Sequence, residues 1–278
     1  MTRFWYLHVL ARQTCPAVVT VNGFPVFNGA LPRETAVPAI INEFLVQGVN
    51  ELALEVKAAG LDVPKPLRPG STVPVVADIR IFGQGEVVTP DDGQSVLLLA
   101  DGAQQSDGPV RSIEADLTVP APGVPVAARA WRFTVQDGPD FSQLLHGPTR
   151  PVPEDALIDY GCTLVELFQT QQVTEFLKEY APRARAQATA LGRDLNQVAG
   201  QIRELAQHAI GLGLARVPTR EQIRARPWCG GRVHELYVVS DADGEGPLLV
   251  TNEDDEGAFR LPIFVAPVGQ DGALKVVR

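Results

Sequence analysis

Cysteine is scarce in this sequence. The three cysteines of the 278-residue chain, Cys15, Cys162 and Cys229, are far apart and form no CxxC pair. An odd and scattered set of this kind favours free thiols in a reducing compartment over a disulfide framework or a zinc site. The sequence therefore predicts no bound metal and a cytoplasmic location.

Long apolar runs are missing as well. No stretch approaches the roughly 20 apolar residues that a membrane-spanning helix needs. The apolar run at residues 4–11 is interrupted by His8 and followed by Arg12, so it is too short for the core of a signal peptide. We therefore expect no export signal and no association with a membrane.

Basic residues are fewer than acidic ones. Lys and Arg number 24 against 33 Asp and Glu, which gives a net charge of −9. Repulsion from phosphate opposes general binding to nucleic acid, and the same charge favours a basic protein as partner.

Familiar catalytic motifs are also absent. The sequence has no G-x-S-x-G elbow, Walker loop or H-E-x-x-H motif. Cys229 and His234 could act as nucleophile and base, but nothing nearby supplies the group that would orient the base, so a structural cysteine is favoured. We predict no cofactor, and a non-catalytic protein is favoured over an enzyme.

Short β-type runs fill residues 1–137. They are rich in Val, Ile, Phe and Trp and are separated by Gly, Pro, Asn and Asp, as in sandwiches and barrels. The pair Asn22–Gly23 predicts a tight type I′ hairpin turn, because both residues tolerate positive φ. These patterns predict an antiparallel β-sandwich domain.

The sequence pattern changes after residue 137. Residues 138–154 contain several prolines and predict a linker. Helical spacing covers residues 155–213, and four β-type runs joined by Gly- and Asp-rich turns cover 233–278. We predict an α+β domain over 155–278, with its β-meander at 233–278, and an α+β fold overall.

One apolar stripe repeats alternately at four and three residues, which places it along one side of a helix. Its members are Leu191, Leu195, Val198, Ile202, Leu205, Ala209 and Leu212. Packing onto its own domain is favoured. The alternative is a homodimer through the 191–212 helix, because a coiled coil has the same spacing.

Two segments resemble known folds. The pieces VTVNGFPV and IINEFLVQGVNELALEV, within residues 19–56, resemble the galactose-binding-like jelly-roll sandwich in its Asn-Gly and G-x-N turns. That resemblance implies a sandwich; a carbohydrate-binding module would additionally need Trp5, Phe24 or Phe27 as an exposed sugar platform.

The C-terminal part, with its final turn QDGALKVV, resembles the NTF2-like cone, in which helices pack on a curved antiparallel sheet. A small-molecule or enzymatic pocket would then lie in the concave face of the sheet, under the helices. Its predicted lining is aromatic and consists of Tyr160, Phe168, Trp228, Tyr237 and Phe264.

Two charged stretches lie near the C-terminus. Seven carboxylates between Asp241 and Glu256 include four candidates for contact with a basic partner: Asp241, Asp243, Asp254 and Asp255. The first turn has oxygen side chains at some EF-hand positions, but Asn252 replaces the final Glu, so solvated turns are favoured over a Ca²⁺ site.

An arginine-rich stretch precedes these turns. Its members are Arg216, Arg220, Arg224, Arg226 and Arg232. The cluster could bind phosphate or carboxylate, but pairing with the acidic turns downstream is favoured. Together the patterns favour an adaptor or immunity-like interaction protein; a pocket protein and a carbohydrate-binding module stay open as alternatives.

Overall fold

The computed structural model describes residues 3–35, 37–57, 67–86, 93–100, 110–121, 128–240, 244–253 and 257–278. It confirms the predicted α+β class, with an antiparallel β-rich part first, then helices, then an antiparallel sheet. The chain forms two compact units, Met1–Leu145 and His146–Arg278.

The described residues of the first unit form ten strands and a one-turn α-helix. The strands are β1 (Arg3–Ala11), β2 (Cys15–Val21), β3 (Phe24–Leu31), β4 (Val37–Ile40), β5 (Gly48–Val56), β6 (Thr72–Gly83), β7 (Gln94–Ser95), β8 (Leu99–Ala100), β9 (Ile113–Thr118) and β10 (Arg129–Val135), and the helix is α1 (Ser142–Leu145). Sheet 1 has the order β4-β1-β6-β7, with β9 also paired to β6. Sheet 2 has the order β3-β2-β5-β10-β8.

The two sheets share an apolar interior. On β6 every second residue from Val73 to Ile79 is buried, as expected for a strand with one face on a core. Trp5 of sheet 1 and Phe133 of sheet 2 lie with their ring centroids 6.2 Å apart. This packing forms the β-sandwich.

The predicted hairpin turn is confirmed. Asn22 and Gly23 join β2 to β3 with φ values of 52° and 75°. The Asn22 side chain is buried and donates to Asn50 Oδ1 at 2.8 Å and to Phe44 O at 2.7 Å. Asn50 also accepts from Val46 N at 2.8 Å. The Asn-Gly and G-x-N motifs therefore bond to each other and hold the interior of the sandwich together.

The segment predicted as a linker begins as part of the first unit. Phe141 N donates to Leu45 O at 2.9 Å, and Gln47 Nε2 donates to Gly138 O at 2.6 Å. Leu145, at the end of α1, is buried. Within residues 138–154, the boundary between the two units therefore falls after α1.

In the part of the second unit that the structure describes there are four α-helices and seven strands. The helices are α2 (Glu154–Gln169), α3 (Val173–Glu179), α4 (Ala181–Leu191) and α5 (Leu195–Leu212). The strands are β11 (Ile223–Trp228), β12 (Val233–Ser240), β13 (Gly244–Pro247), β14 (Leu249–Val250), β15 (Arg260–Leu261), β16 (Ile263–Val268) and β17 (Ala273–Val276). Sheet 3 has the order β11-β12-β16-β17, with β13 paired to β12, and β14 pairs with β15. Strand β11 lies in the arginine-rich stretch and was not predicted.

The helices pack directly on sheet 3. Gly161 of α2 lies so close to the sheet that a Cβ there would be 3.1 Å from Ile223 Cγ2. Phe168 and Phe176 pack in the same core cluster as Leu236 and Val265. Their side chains fill the space between the helices and the sheet.

The prediction of one continuous helix over residues 191–212 is wrong. Helix α4 ends at Leu191, because Gly192 adopts a left-handed conformation with φ 59°. Helix α5 then begins after Asp194, whose side chain accepts from Gln197 N at 3.0 Å. Val198 and Ala209 of the stripe are buried, but Leu195 and Leu205 are exposed.

Candidate functional site

Residues 93–100 connect the two sheets of the first unit. Gly93 precedes β7 and lies against the Phe82 ring, where a Cβ would come within 2.8 Å of a ring carbon. Strand β7 pairs with β6 of sheet 1, and β8, four residues later, pairs with β10 of sheet 2. We call residues 93–100 the crossing segment.

A cavity of about 930 Å³ lies beside the crossing segment. We call it the edge groove. It is lined by Trp5, Val49, Ile81, Gly93, Gln94, Ser95, Val96, Leu97, Leu99, Arg111, Arg132, Phe133, Thr134 and Gln136.

Aliphatic side chains are exposed in this groove. Val49, Leu97 and Leu99 are 60%, 54% and 46% exposed. Phe133 and Val96 are buried and contribute to the lining. Exposed aliphatic residues that cluster around a concavity are typical of binding surfaces.

The backbone of β10 is unpaired along part of the groove. Glu51 of β5 accepts from Asn22 N at 2.8 Å and donates to Asn22 Oδ1 at 3.0 Å, so its backbone is directed away from β10. Its cross-strand neighbour Arg132 must therefore direct its own N–H and C=O away from β5, and so must Thr134, two residues later.

The crossing segment covers only the first of these two positions. Leu99 pairs with Arg132, but Leu98 turns to Val110, with both backbone N···O distances at 2.8 Å. Among the residues that the structure describes, none pairs with the outward edge of Thr134. The groove therefore combines an apolar lining with an open strand edge.

Two ionisable side chains are found among the described residues of the lining, and both are arginines. Arg111 is exposed and directly follows Val110, which the backbone bonds to Leu98 hold in place. Arg132 lies between Glu51 and Leu99 in the register of sheet 2. The described lining of the groove is therefore basic, although the chain carries a net charge of −9.

Trp5 is a lining residue of the groove and also carries a buried polar atom. Its side chain is only 3% exposed, and its indole Nε1 has no hydrogen-bond partner among the described residues. Phe24 is also buried and stacks on Phe44 at 4.8 Å between ring centroids. Neither Trp5 nor Phe24 forms an exposed sugar platform; Phe27 is half-buried.

The five aromatic residues predicted to line a pocket do not converge under the helices. Phe168 is buried in the core of the second unit. Tyr237 and Phe264 alternate along their strands with core residues and lie on the opposite face of sheet 3, as does Trp228. On that face Trp228 Nε1 donates to Glu235 Oε2 at 3.0 Å.

Tyr160, the fifth of these aromatic residues, forms a hydrogen-bonded pair with Glu179. Its hydroxyl donates to Glu179 Oε2 at 2.6 Å, and Lys275 Nζ donates to both oxygens of the same carboxylate at 3.0 Å. Burial, together with the hydrogen bond and charge of Glu179, raises the pKa of Tyr160 well above its usual range. This arrangement ties α2 and α3 to β17 and keeps the phenol protonated.

The arginine-rich stretch is divided among several partners. Arg226 pairs with Glu245 in the predicted acidic region and stacks 4.5 Å from the Tyr237 ring centroid. Arg220 instead pairs at 3.0 Å with Asp155 and Asp159 of α2. The candidates Asp241, Asp243, Asp254 and Asp255 lie outside the described residues.

The Cys229 thiol is unsuited to nucleophilic attack. It is buried, and burial raises its pKa to about 12. Thiolates, not thiols, are the reactive form, so the structural role favoured from the sequence is the better interpretation. The described residues include no group of three or more His, Cys, Asp or Glu side chains placed to hold a metal ion. Within the same residues no helix is both long and apolar enough to cross a membrane.

Sequence reasoning missed the edge groove. Its clearest signal is the run of Leu97, Leu98 and Leu99, where consecutive leucines break the period of two that a strand with one buried face requires. Only Leu98 is buried. Comparison of the chain with known families, curated proteins and solved structures found no match.

Proposed function

We propose that this chain is a non-catalytic interaction protein whose edge groove binds an extended segment of another protein. The open edge of β10 beside exposed aliphatic side chains carries the proposal. Addition of a strand to such an edge gains main-chain hydrogen bonds, while apolar contacts beside it provide affinity and selectivity.

The overall charge of the chain bears on the rate of association. A net charge of −9 favours encounter with a partner whose own net charge is positive. Because of this charge, the proposal includes an adaptor or immunity-like role with a basic partner. A homodimer formed through the exposed Leu195 and Leu205 of α5 stays a separate prediction.

The test compares two leucines of equal exposure. Leu99 in the groove and Leu205 on α5 are both 46% exposed. The full chain, Leu99→Asp and Leu205→Asp would each be used to capture proteins from extracts of the native cell, and the captured protein would then be purified and its affinity measured. We expect Leu99→Asp to weaken binding at least about tenfold, because it places a charge in an apolar contact, and Leu205→Asp to bind normally.

A second pair of variants addresses the strand edge. Thr134→Pro removes the outward N–H without removing a bond to β5, whereas Thr134→Val keeps that N–H. Loss of affinity in the proline variant alone supports strand addition. A partner that binds Leu99→Asp and Thr134→Pro as tightly as the unmodified chain shows that the groove is not the interface.

Small-molecule binding is the second candidate function. The groove volume of about 930 Å³ falls in the range of ordinary ligand sites, about 300–1,000 Å³. If the groove binds a small molecule, native mass spectrometry of the purified chain would show the added mass of that molecule. The added mass would be absent from Leu99→Asp and present in Leu205→Asp.

A further inference from the structure

We infer that the edge groove selects segments that carry a carboxylate among apolar side chains. This inference rests on the proposed function and names the chemistry of the bound segment. It starts from a contrast of charge: the chain is acidic, but the described residues that line the groove include two guanidinium groups and no carboxylate.

The backbone fixes the position of Arg111. The reciprocal bonds between Leu98 and Val110 hold the preceding residue against the crossing segment, so the Arg111 side chain starts from a defined place at the groove. Its side chain is exposed, and no described residue forms an ion pair with it. A guanidinium donates two parallel N–H bonds to a carboxylate, and a neutral segment has no carboxylate to accept them.

Arg132 extends the basic character along the strand. It projects from the same face of β10 as Thr134, two residues from the open edge, and lies beside Leu99. Glu51 is its direct neighbour on β5, so Arg132 contributes less net charge than Arg111. We therefore assign the larger share of the selection to Arg111.

The apolar side chains narrow the class of ligand further. An inorganic anion would meet the arginines but leave Val49, Leu97 and Leu99 exposed to water. A strand of alternating apolar and acidic residues meets both requirements, because its alternate side chains point to opposite sides. A basic segment would place like charges together.

The experiment uses three labelled synthetic peptides of equal length that alternate Val with Glu, Val with Thr, or Val with Lys. Fluorescence anisotropy with the full chain would give their affinities at low and high salt. We expect the Val-Glu peptide to bind about fivefold tighter than the Val-Thr peptide, with the Val-Lys peptide weakest. High salt should reduce the preference for Glu.

Arg111→Gln and Arg12→Gln provide the matched pair of variants. Both arginines are exposed, but Arg12 follows the far end of β1, seven residues along the chain from the groove residue Trp5, or about 20 Å away. Arg111→Gln should remove most of the preference for Glu over Thr, and Arg12→Gln should keep it.

The outcomes separate the two proposals. Equal binding of the Val-Glu and Val-Thr peptides, with both abolished by Leu99→Asp, would overturn carboxylate selection and leave the groove as a binding site. Failure of all three peptides to bind would overturn the inference and count against the strand-binding function as well.

Discussion

The first unit buries its apolar residues between two sheets, whereas the second buries them between one sheet and helices. In the first unit the crossing segment joins the sheets but leaves the outward edge of Thr134 open among the described residues. In the second, α2 packs so tightly on the sheet that a Cβ at Gly161 would lie 3.1 Å from Ile223 Cγ2, closer than an ordinary contact. The difference places the candidate binding surface in the first unit and a filled core in the second.

The largest expected effect tests whether the second unit has a filled core. Phe168→Ala should reduce the free energy of unfolding by about 3–5 kcal/mol, because it leaves a cavity among Phe176 and its neighbours. Chemical denaturation and hydrogen exchange of the full chain would measure it. Had Phe168 lined an open pocket, the cost would be small, so a loss under about 1 kcal/mol contradicts the comparison.

A smaller effect is expected for the polar interior of the first unit. Asn50→Ala removes the acceptor of Val46 N and of Asn22 Nδ2, both at 2.8 Å. Leaving such buried groups unpaired costs about 1–3 kcal/mol. Hydrogen exchange should show the loss of protection in the first unit. Asn28→Ala, at an exposed position on β3, is the control and should change little.

The smallest expected effect is a pH dependence of stability that comes from His234 in the second unit. Burial lowers the pKa of His234 from the usual 6.5, opposed by a backbone hydrogen bond with Gly231. Below about pH 6.5 the unfolded chain therefore takes up a proton that the folded chain resists, and stability falls as the pH decreases.

Denaturation at pH 7.5 and pH 5.5 checks this expectation. His234→Gln should lose part of the pH dependence, whereas His146→Gln, at an exposed position, should retain it. Identical pH dependence in His234→Gln and the unmodified chain would show that His234 does not cause the loss of stability at low pH.

Local turn structure could be predicted from the sequence. Asn22 and Gly23 required positive φ, and the turn formed as predicted because that requirement lies within two residues. The heptad-like stripe was misleading at Leu191, because spacing alone does not reveal that Gly192 ends one helix and Asp194 begins the next. Glycine at a helix end and aspartate after it are nevertheless signals that could have found the break.

The candidate site was not readable in the same way. The alternation along β12 and β16 predicts that each strand has two faces. Only the folded structure shows that the helices pack on the face opposite Tyr237 and Phe264. The groove residues Leu99, Arg111 and Thr134 come from distant parts of the chain. No local pattern could bring them together.

The sequence by itself determined the order of β-rich, helical and β-rich parts and the turn at Asn22–Gly23, since those depend on side-chain period and backbone preference over a few residues. Tertiary structure decided which strand edge remained open. Leu98 pairs with Val110 and not with the next residue of β10, and this choice is made between segments far apart in sequence. Pairing of this kind depends on the packing of both sheets at once, so only the folded chain reveals the edge groove.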